Sequence, residues 1–345
     1  MTDPAPEPSA PARPRAALAM HPQAADLVFD SAALDALAEH TDLEPPPVLD
    51  DFGTERARRV LADVDVLVTG WGCPPIDARV LDATPRLRAI AHAAGSVRGH
   101  VTDACWERGV EVSSAALANA LPVAEYTVAM VLLAGKRVLE SARAYRAGQT
   151  FPGLFSADPQ LGNYRRTVGI LSASLVGRRV IELLRPYDLE VLLYDPFVDD
   201  AEAAALGAER VQLPELFAAA DVVSVHTPLL PETRGLVSRE LLAAMRQDAT
   251  LVNTARGAVV DQEALTEAVR AGRIRAVLDV TEPEVLPPGH PLWDCEGALL
   301  TPHLAGSQGN ELRRLAESTV SEVRRWAAGE GFAHPVLRDR LPFLA

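Results

Sequence analysis

Lysine is almost missing from this chain: of 33 basic residues only Lys136 is lysine, and the others are arginine. Positive charge is outweighed as well, since 47 acidic residues leave a formal charge of -14 and a pI near 5.1. So acidic a chain lacks the positive field that nucleic acid or an anionic membrane surface requires, and a small molecule is the expected partner. Cysteine is scarce too. Cys73, Cys105 and Cys295 lie far apart with no C-x-x-C pair, which excludes a disulfide framework or a zinc site and suits a reducing cytoplasm. No apolar run is long enough to span a bilayer; the longest, "VAMVLLAG" at Val128–Gly135, is flanked by Glu125 and Lys136 and reads as a buried helix. The opening "MTDPAPEPSAPARPR" has five prolines and no apolar core of a signal peptide, so residues 1–14 read as a disordered tail.

What remains is a core-forming chain. Its 345 residues are 48% hydrophobic, with mean hydropathy +0.05, which suits two globular domains of ordinary size. From Arg15 to about Ala115, the apolar runs "AALAM", "VDVLVTG", "LRAIAHA" and "VEVSSA" alternate with helical patterns such as "SAALDALAEH" and "TERARRVLA". Alternation of this kind predicts parallel strands joined by crossover helices. The segment "LPVAEYTVAMVLLAGKRVLESARAYRAG" predicts one long helix linking two domains, and a loop, "QTFPGLFSADPQLGNYRR", follows it. A second series then brings six strand candidates: "TVGIL", "EVLLYD", "DVVSVH", "TLVNTA", "IRAVLDV" and "ALLTPH". Six is the strand count of a doubly wound dinucleotide-binding domain. "GNELRRLAESTVSEVRRWAAGE" reads as one closing helix.

The turn after the first of those strands, "GILSASLVG" at Gly169–Gly177, stands where a G-x-G-x-x-G fingerprint belongs but reads S-x-S-x-x-G. Ser172 and Ser174 replace the glycines that make the tight turn and admit the pyrophosphate, and only Gly177, needed for close packing of helix on strand, survives. A left-handed Ser172 would be strained by about 1–2 kcal/mol, and the Ser174 side chain would intrude on the phosphates or donate to them. The next helix has its apolar face at Val176, Val180, Leu183 and Leu184. Asp195 lies 18 residues beyond Gly177, where a carboxylate can accept both ribose hydroxyls and favour NAD over NADP. Ligands of open parallel sheets bind past the carboxyl ends of the strands. The polar residues there are Ser172, Asp195, His226, Arg256, Glu284 and His303.

Four segments, "HTPLLPETRGLV", "LVNTARGAVVDQEAL", "LDVTEPEVLPPGHPLWD" and "LLTPHLAGS", carry a resemblance that extends over nearly everything after the tail. The chain resembles the D-isomer-specific 2-hydroxyacid dehydrogenases, the family that includes phosphoglycerate dehydrogenase and the glyoxylate/hydroxypyruvate reductases. The resemblance implies a catalytic arginine in N-x-A-R-G (Arg256), a glutamate in D-V-x-x-x-E (Glu284) and a histidine in T-P-H (His303). Glu282 sits three residues after Asp279 rather than five, which favours Glu284. It also implies an α/β fold of two domains with the site between them: a Rossmann NAD-binding domain at 119–305 and a smaller flavodoxin-like substrate domain from 15–118 and 306–345. NAD would lie against Ser174, Leu175, Val176, Asp195, His226, Thr227, Pro228, Thr254, Ala255, Asp279, His303 and Gly306, with Asp279 near the nicotinamide amide. The loop "AAGSVRG" would hold a substrate carboxylate through Gly95, Ser96 and Val97, with Trp71 as a pocket wall and Arg256 on the substrate. Arg98 and His100 depart from the family's usual residues there and suggest an additional anionic group on the substrate. His226 reads as structural or cofactor-lining, and a homodimer through the helix after Asn119 is the family's habit.

The chemistry follows from residue type. Reducing a 2-oxo acid requires a hydride from the nicotinamide and a proton for the emerging alkoxide, and an imidazole that titrates near neutrality is a suitable donor. His303 would be that acid, and Glu284 would fix its tautomer and favour its protonated form. Arg256 would hold the substrate carboxylate and polarise the keto oxygen. The resulting reading is an NAD-dependent oxidoreductase acting on a small D-2-hydroxy or 2-oxo acid, with a serine-substituted pyrophosphate loop. The alternatives are a non-catalytic NADH-binding or interaction protein of the same fold and a related NAD oxidation such as that of phosphite.

Overall fold

The computed structural model describes residues 13–150 and 161–343. The expected disordered tail and the middle of the 149–166 loop therefore lie almost wholly outside the described residues. The chain divides into two units: 1–115 with 309–341, and 116–308 with 342–345.

The first unit is built on a parallel sheet of β1 (Arg15–Ala19), β2 (Asp42–Leu43), β3 (Val66–Thr69), β4 (Ala89–His92) and β5 (Glu111–Ser114), in the order β2-β1-β3-β4-β5. This is the flavodoxin-like order. The four long strands coincide with the apolar runs. The fifth, β2, is a two-residue edge strand paired only with β1, too short to leave a periodic signal. α1 (Pro22–Val28) and α2 (Ser31–His40) pack on α13 (Leu312–Ala327). The closing helix buries Leu312, Leu315, Ala316, Thr319, Val323 and Trp326, the 3.6-residue stripe of an amphipathic helix.

The second unit holds seven parallel strands rather than six: β6 (Arg166–Leu171), β7 (Leu189–Tyr194), β8 (Glu209–Arg210), β9 (Val222–Val225), β10 (Thr250–Asn253), β11 (Arg275–Leu278) and β12 (Ala298–Leu300). Their order, β12-β11-β10-β9-β6-β7-β8, reverses between β6 and β9. The unforeseen member is again a two-residue edge, β8. Both sheet faces are covered, which is why these strands read as continuous apolar runs rather than alternating ones. Val168, Ile170, Val222, Val252 and Val277 face one core with α6 (Ala116–Gly135) and α8 (Leu175–Leu184). Leu171, Val223, Val225, Leu251, Ala276 and Leu278 face the other, with α10 (Leu213–Ala219), α11 (Arg239–Ala244) and α12 (Gln262–Arg270). On α8 the buried positions include Ile181 beside Val180 and Leu184, while Val176 and Leu183 are only partly buried against the same core.

Two expectations for the long helical segment need correction. It is two helices, α6 and α7 (Val138–Gly148), broken just after Gly135, where Arg137 takes a left-handed φ of 48°. α6 is also only half buried: Val128, Val131 and Gly135 are covered, but Ala129 is exposed and Met130, Leu132 and Leu133 are partly open. By length and composition α6 could cross a membrane, yet one side of it packs against β9, β10 and α8.

Candidate active site

The carboxyl edge of the second unit's sheet begins with the serine-bearing turn between β6 and α8. Ser172 has φ 83°, the left-handed conformation for which glycine is the usual residue. A side-chain bond offsets the strain: Ser172 Oγ donates to Asp195 Oδ2 at 3.1 Å. The Ala173 amide donates to the same oxygen at 2.8 Å and the Phe197 amide to Oδ1 at 2.8 Å. Asp195 is therefore a clamp on the turn, only 6% exposed. With two acceptor positions on each carboxylate oxygen, one position, on Oδ1, is left for a ribose hydroxyl instead of the two expected.

Ser174 needs no glycine at all. Its φ of -62° and ψ of 177° are those of a helix N-cap, and its Oγ accepts from the Gly177 amide at 3.3 Å, the role for which serine is favoured. Its hydroxyl is thus directed to the helix rather than into the space of a phosphate. The Leu175 and Val176 amides, at the start of α8, have no acceptor within the helix and, with the helix dipole, form an anion-binding end. Gly177 is required for space: a Cβ there would lie 2.1 Å from the Ser172 carbonyl oxygen. The turn, its amide donors and the remaining Asp195 position fit a dinucleotide.

Past β9, His226 is fully buried, bonded to Ser224 Oγ at 2.9 Å, and desolvation lowers its pKa to about 3. It is a neutral packing group beside the turn and no acid-base catalyst. Thr227 is buried and Pro228 half-buried.

Past β10, Asn253 builds the loop that presents Arg256. Its Oδ1 accepts from the Ala255 amide and its Nδ2 donates to the Arg256 carbonyl, both at 3.0 Å. Arg256 is half-buried, with one guanidinium nitrogen on the Ala255 carbonyl at 2.6 Å. At Gly257 a Cβ would lie 2.1 Å from the Thr281 carbonyl carbon, so glycine lets the arginine loop press against the backbone that leads to Glu284.

Past β11 and β12 the structure brings His303 and Glu284 together, with Nδ1 2.5 Å from Oε1. Both side chains are about half exposed, at 51% and 54%. Glu282 is not at the pair; its backbone is tied to the Gln262 side chain. Since Nδ1 faces the carboxylate it carries the proton, and Nε2 is the nitrogen available to a substrate. His303 is held in a left-handed conformation, φ 51°, and Asp279 fastens it there. The Asp279 carbonyl accepts from the His303 amide at 3.0 Å. Its carboxylate, 2% exposed, accepts from Thr301 Oγ1 at 2.5 Å and from the Leu304 and Ala305 amides at 2.9 Å. Asp279 thus buttresses the histidine loop, and by the same count one acceptor position, on Oδ2, is left for the expected nicotinamide amide. Gly306 is half-buried against Asn119, whose Oδ1 accepts from the Ser307 amide at 3.0 Å.

In the first unit, the loop with Gly95, Ser96 and Val97 follows β4, at the carboxyl edge of that sheet. Gly95 and Ser96 are partly open and Val97 is buried. The two residues that suggest an additional anionic group are placed differently. His100 is buried under the loop with Nε2 3.1 Å from Thr69 Oγ1, and desolvation lowers its pKa to about 4. Arg98 donates to the Leu341 carbonyl at 2.9 Å. The same Thr69 hydroxyl bonds His92 Nδ1 at 2.9 Å. Burial, and then the neighbouring His100, hold the His92 pKa well below the usual imidazole range, only partly opposed by the Ser96 backbone, and Nε2 has no hydrogen-bond partner among the described residues. Trp71 is 44% exposed. Burial raises all three thiols, Cys73 to about 12, and no metal-binding cluster occurs among the described residues.

Residues 128–305 match the family model of the D-isomer specific 2-hydroxyacid dehydrogenase, NAD binding domain. The chain is 35% identical over 272 residues to a glyoxylate reductase of Korarchaeum cryptofilum, covering 78% of this chain and 81% of that one. It is 36% identical over 258 residues to a D-3-phosphoglycerate dehydrogenase of Mycobacterium leprae, covering 74% and 48%. Among solved structures, the TT0316 protein of Thermus thermophilus aligns with a TM-score of 0.73 and 32% identity over 94% of this chain and all of that one. The chain belongs to the D-isomer specific 2-hydroxyacid dehydrogenase family and carries its NAD-binding domain. It spans about half the length of the phosphoglycerate dehydrogenases it matches.

Proposed function

We propose that this chain is an NAD-dependent oxidoreductase that interconverts a small D-2-hydroxy acid and its 2-oxo acid. The observation that carries the reading is the His303–Glu284 pair, on the same sheet edge as the Arg256 loop and the α8 amides. Bound NAD would supply or accept the hydride. In the reducing direction Glu284 holds Nδ1–H, and the Nε2 proton of imidazolium passes to the substrate oxygen as it becomes an alkoxide. Arg256 offers a fork of N–H donors for a carboxylate and a positive charge for the polarised carbonyl oxygen. In oxidation Nε2 takes the hydroxyl proton.

The half-open apolar side of α6 supports a homodimer, and three unpaired cysteines support a cytoplasmic setting. The reading is tested by calorimetric titration with NADH and NADPH and by NADH oxidation with glyoxylate, hydroxypyruvate and 3-phosphohydroxypyruvate. NADH binding with turnover of a 2-oxo acid supports it. Binding without turnover favours the non-catalytic alternative, and reduction of NAD by phosphite the third.

A further inference from the structure

α6 is apolar along most of its length, yet Asn119, Tyr126 and Thr127 share one stripe of it at i, i+7 and i+8. Each reaches a segment that bears a candidate catalytic residue. Asn119 Oδ1 holds the Ser307 amide at 3.0 Å, just after His303. The Tyr126 hydroxyl lies 2.9 Å from Thr301 Oγ1, just before His303. Thr127 Oγ1 lies 3.1 Å from Thr254 Oγ1, just before Arg256.

Proton counting gives these bonds a direction. A carboxylate only accepts, so Thr301 spends its one hydroxyl proton on Asp279, and Tyr126 must donate to Thr301. Thr127 spends its proton on the Val123 carbonyl at 2.8 Å, so Thr254 donates to Thr127. The first chain therefore runs Tyr126 O–H to Thr301 O–H to Asp279, and Asp279 grips the Leu304 and Ala305 amides beside the left-handed His303. Burial raises the pKa of the Tyr126 phenol, which keeps its donor proton in place.

We infer that α6 is the template that sets the two catalytic loops relative to each other, with Asn119, Tyr126 and Thr127 as positioning residues and Tyr126 acting on His303 through Thr301 and Asp279. The turnover part of the test rests on the dehydrogenase reading; the structural part does not. Tyr126→Phe, Thr301→Val and Thr301→Ser would be made in the full chain, and amide hydrogen exchange measured beside steady-state kinetics. Losing one hydroxyl hydrogen bond should raise exchange at Leu304 and Ala305 about threefold to tenfold in Tyr126→Phe, and Thr301→Val, which loses two, should raise it at least as much. Exchange at Leu251 and Val252 in β10 should not change, and Thr301→Ser should behave as the parent. The first two variants should lower kcat by a similar factor while leaving the NADH dissociation constant unchanged. Unchanged exchange at Leu304 and Ala305, or an equal rise throughout β10, would overturn the inference. If the parent turns over no 2-oxo acid, the dehydrogenase reading fails, and the exchange measurements still decide the role of α6.

Discussion

Replacing Ser172 by alanine and by glycine separates the two demands made on that position. Alanine keeps the left-handed strain and loses the bond to Asp195, worth about 1.5–3 kcal/mol when the acceptor is charged. Glycine loses the same bond but relieves strain of about 1–2 kcal/mol, at a cost of about 0.5–1 kcal/mol in unfolded-chain entropy. Stability should therefore fall in the order parent, glycine, alanine, with the two variants up to about 1.5 kcal/mol apart, read as urea midpoints at constant m. Cofactor affinity should move the other way. Both variants reopen an acceptor position on Asp195 Oδ2, and one extra hydrogen bond to a ribose hydroxyl tightens NADH by about threefold to tenfold in calorimetry. An alanine variant as stable as the parent would refute the compensation argument, and unchanged NADH affinity in both would refute competition for Asp195.

Other expectations test the rest of the site. His303→Gln should cut turnover by about 10²–10⁴-fold with NADH affinity retained, and equal loss of both would show that the imidazole holds the cofactor instead. Gly177→Ala forces a methyl onto the Ser172 carbonyl; a cost of about 1–3 kcal/mol and weakened NADH binding are expected, and a neutral result would mean that the turn yields. The neutral pair His92 and His100, which face each other and the Thr69 hydroxyl, makes stability depend on pH. Both folded pKa values are lowered, His100 to about 4, so the unfolded chain binds more protons below about pH 6.5. Stability should be full above that value and fall as pH drops toward 4. Urea titrations at pH 7 and pH 5 should show that fall, and His100→Gln should flatten it; an unchanged slope would remove His100 as its source.

The long buried strands were legible because two covered faces demand unbroken apolar runs, and the loops past them because strand ends locate ligands in such sheets. Edge strands of two residues, Asp42–Leu43 and Glu209–Arg210, left no pattern to read. The break at Arg137 puts an arginine, not Gly135, in the left-handed conformation, so the glycine did not mark which residue turns the chain. Arg256, Glu284 and His303 could be picked out along the chain, but the tasks of Asp195 and Asp279 could not. Carboxylates that clamp a turn and carboxylates that meet a ligand look identical until their donors are placed. His100, in a loop of small and polar residues, gave no sign that it lies beneath that loop. Asn119, Tyr126 and Thr127 are polar residues on a single stripe of a helix that is otherwise apolar but for the exposed Glu125, and that pattern was legible in the sequence.

The turn at Ser172–Gly177 bears on how such sites are sought. Its three marker positions answer to different needs: a dihedral angle at the first, a helix cap at the second, and clearance between two stretches of backbone at the third. Angle and cap accept a side chain that brings its own hydrogen bond, whereas clearance accepts none. A search keyed to all three glycines passes over this chain, while one keyed to the last glycine and the acid at the next strand end finds it. Nucleotide sites that have drifted in this way should be recognisable by the same two residues.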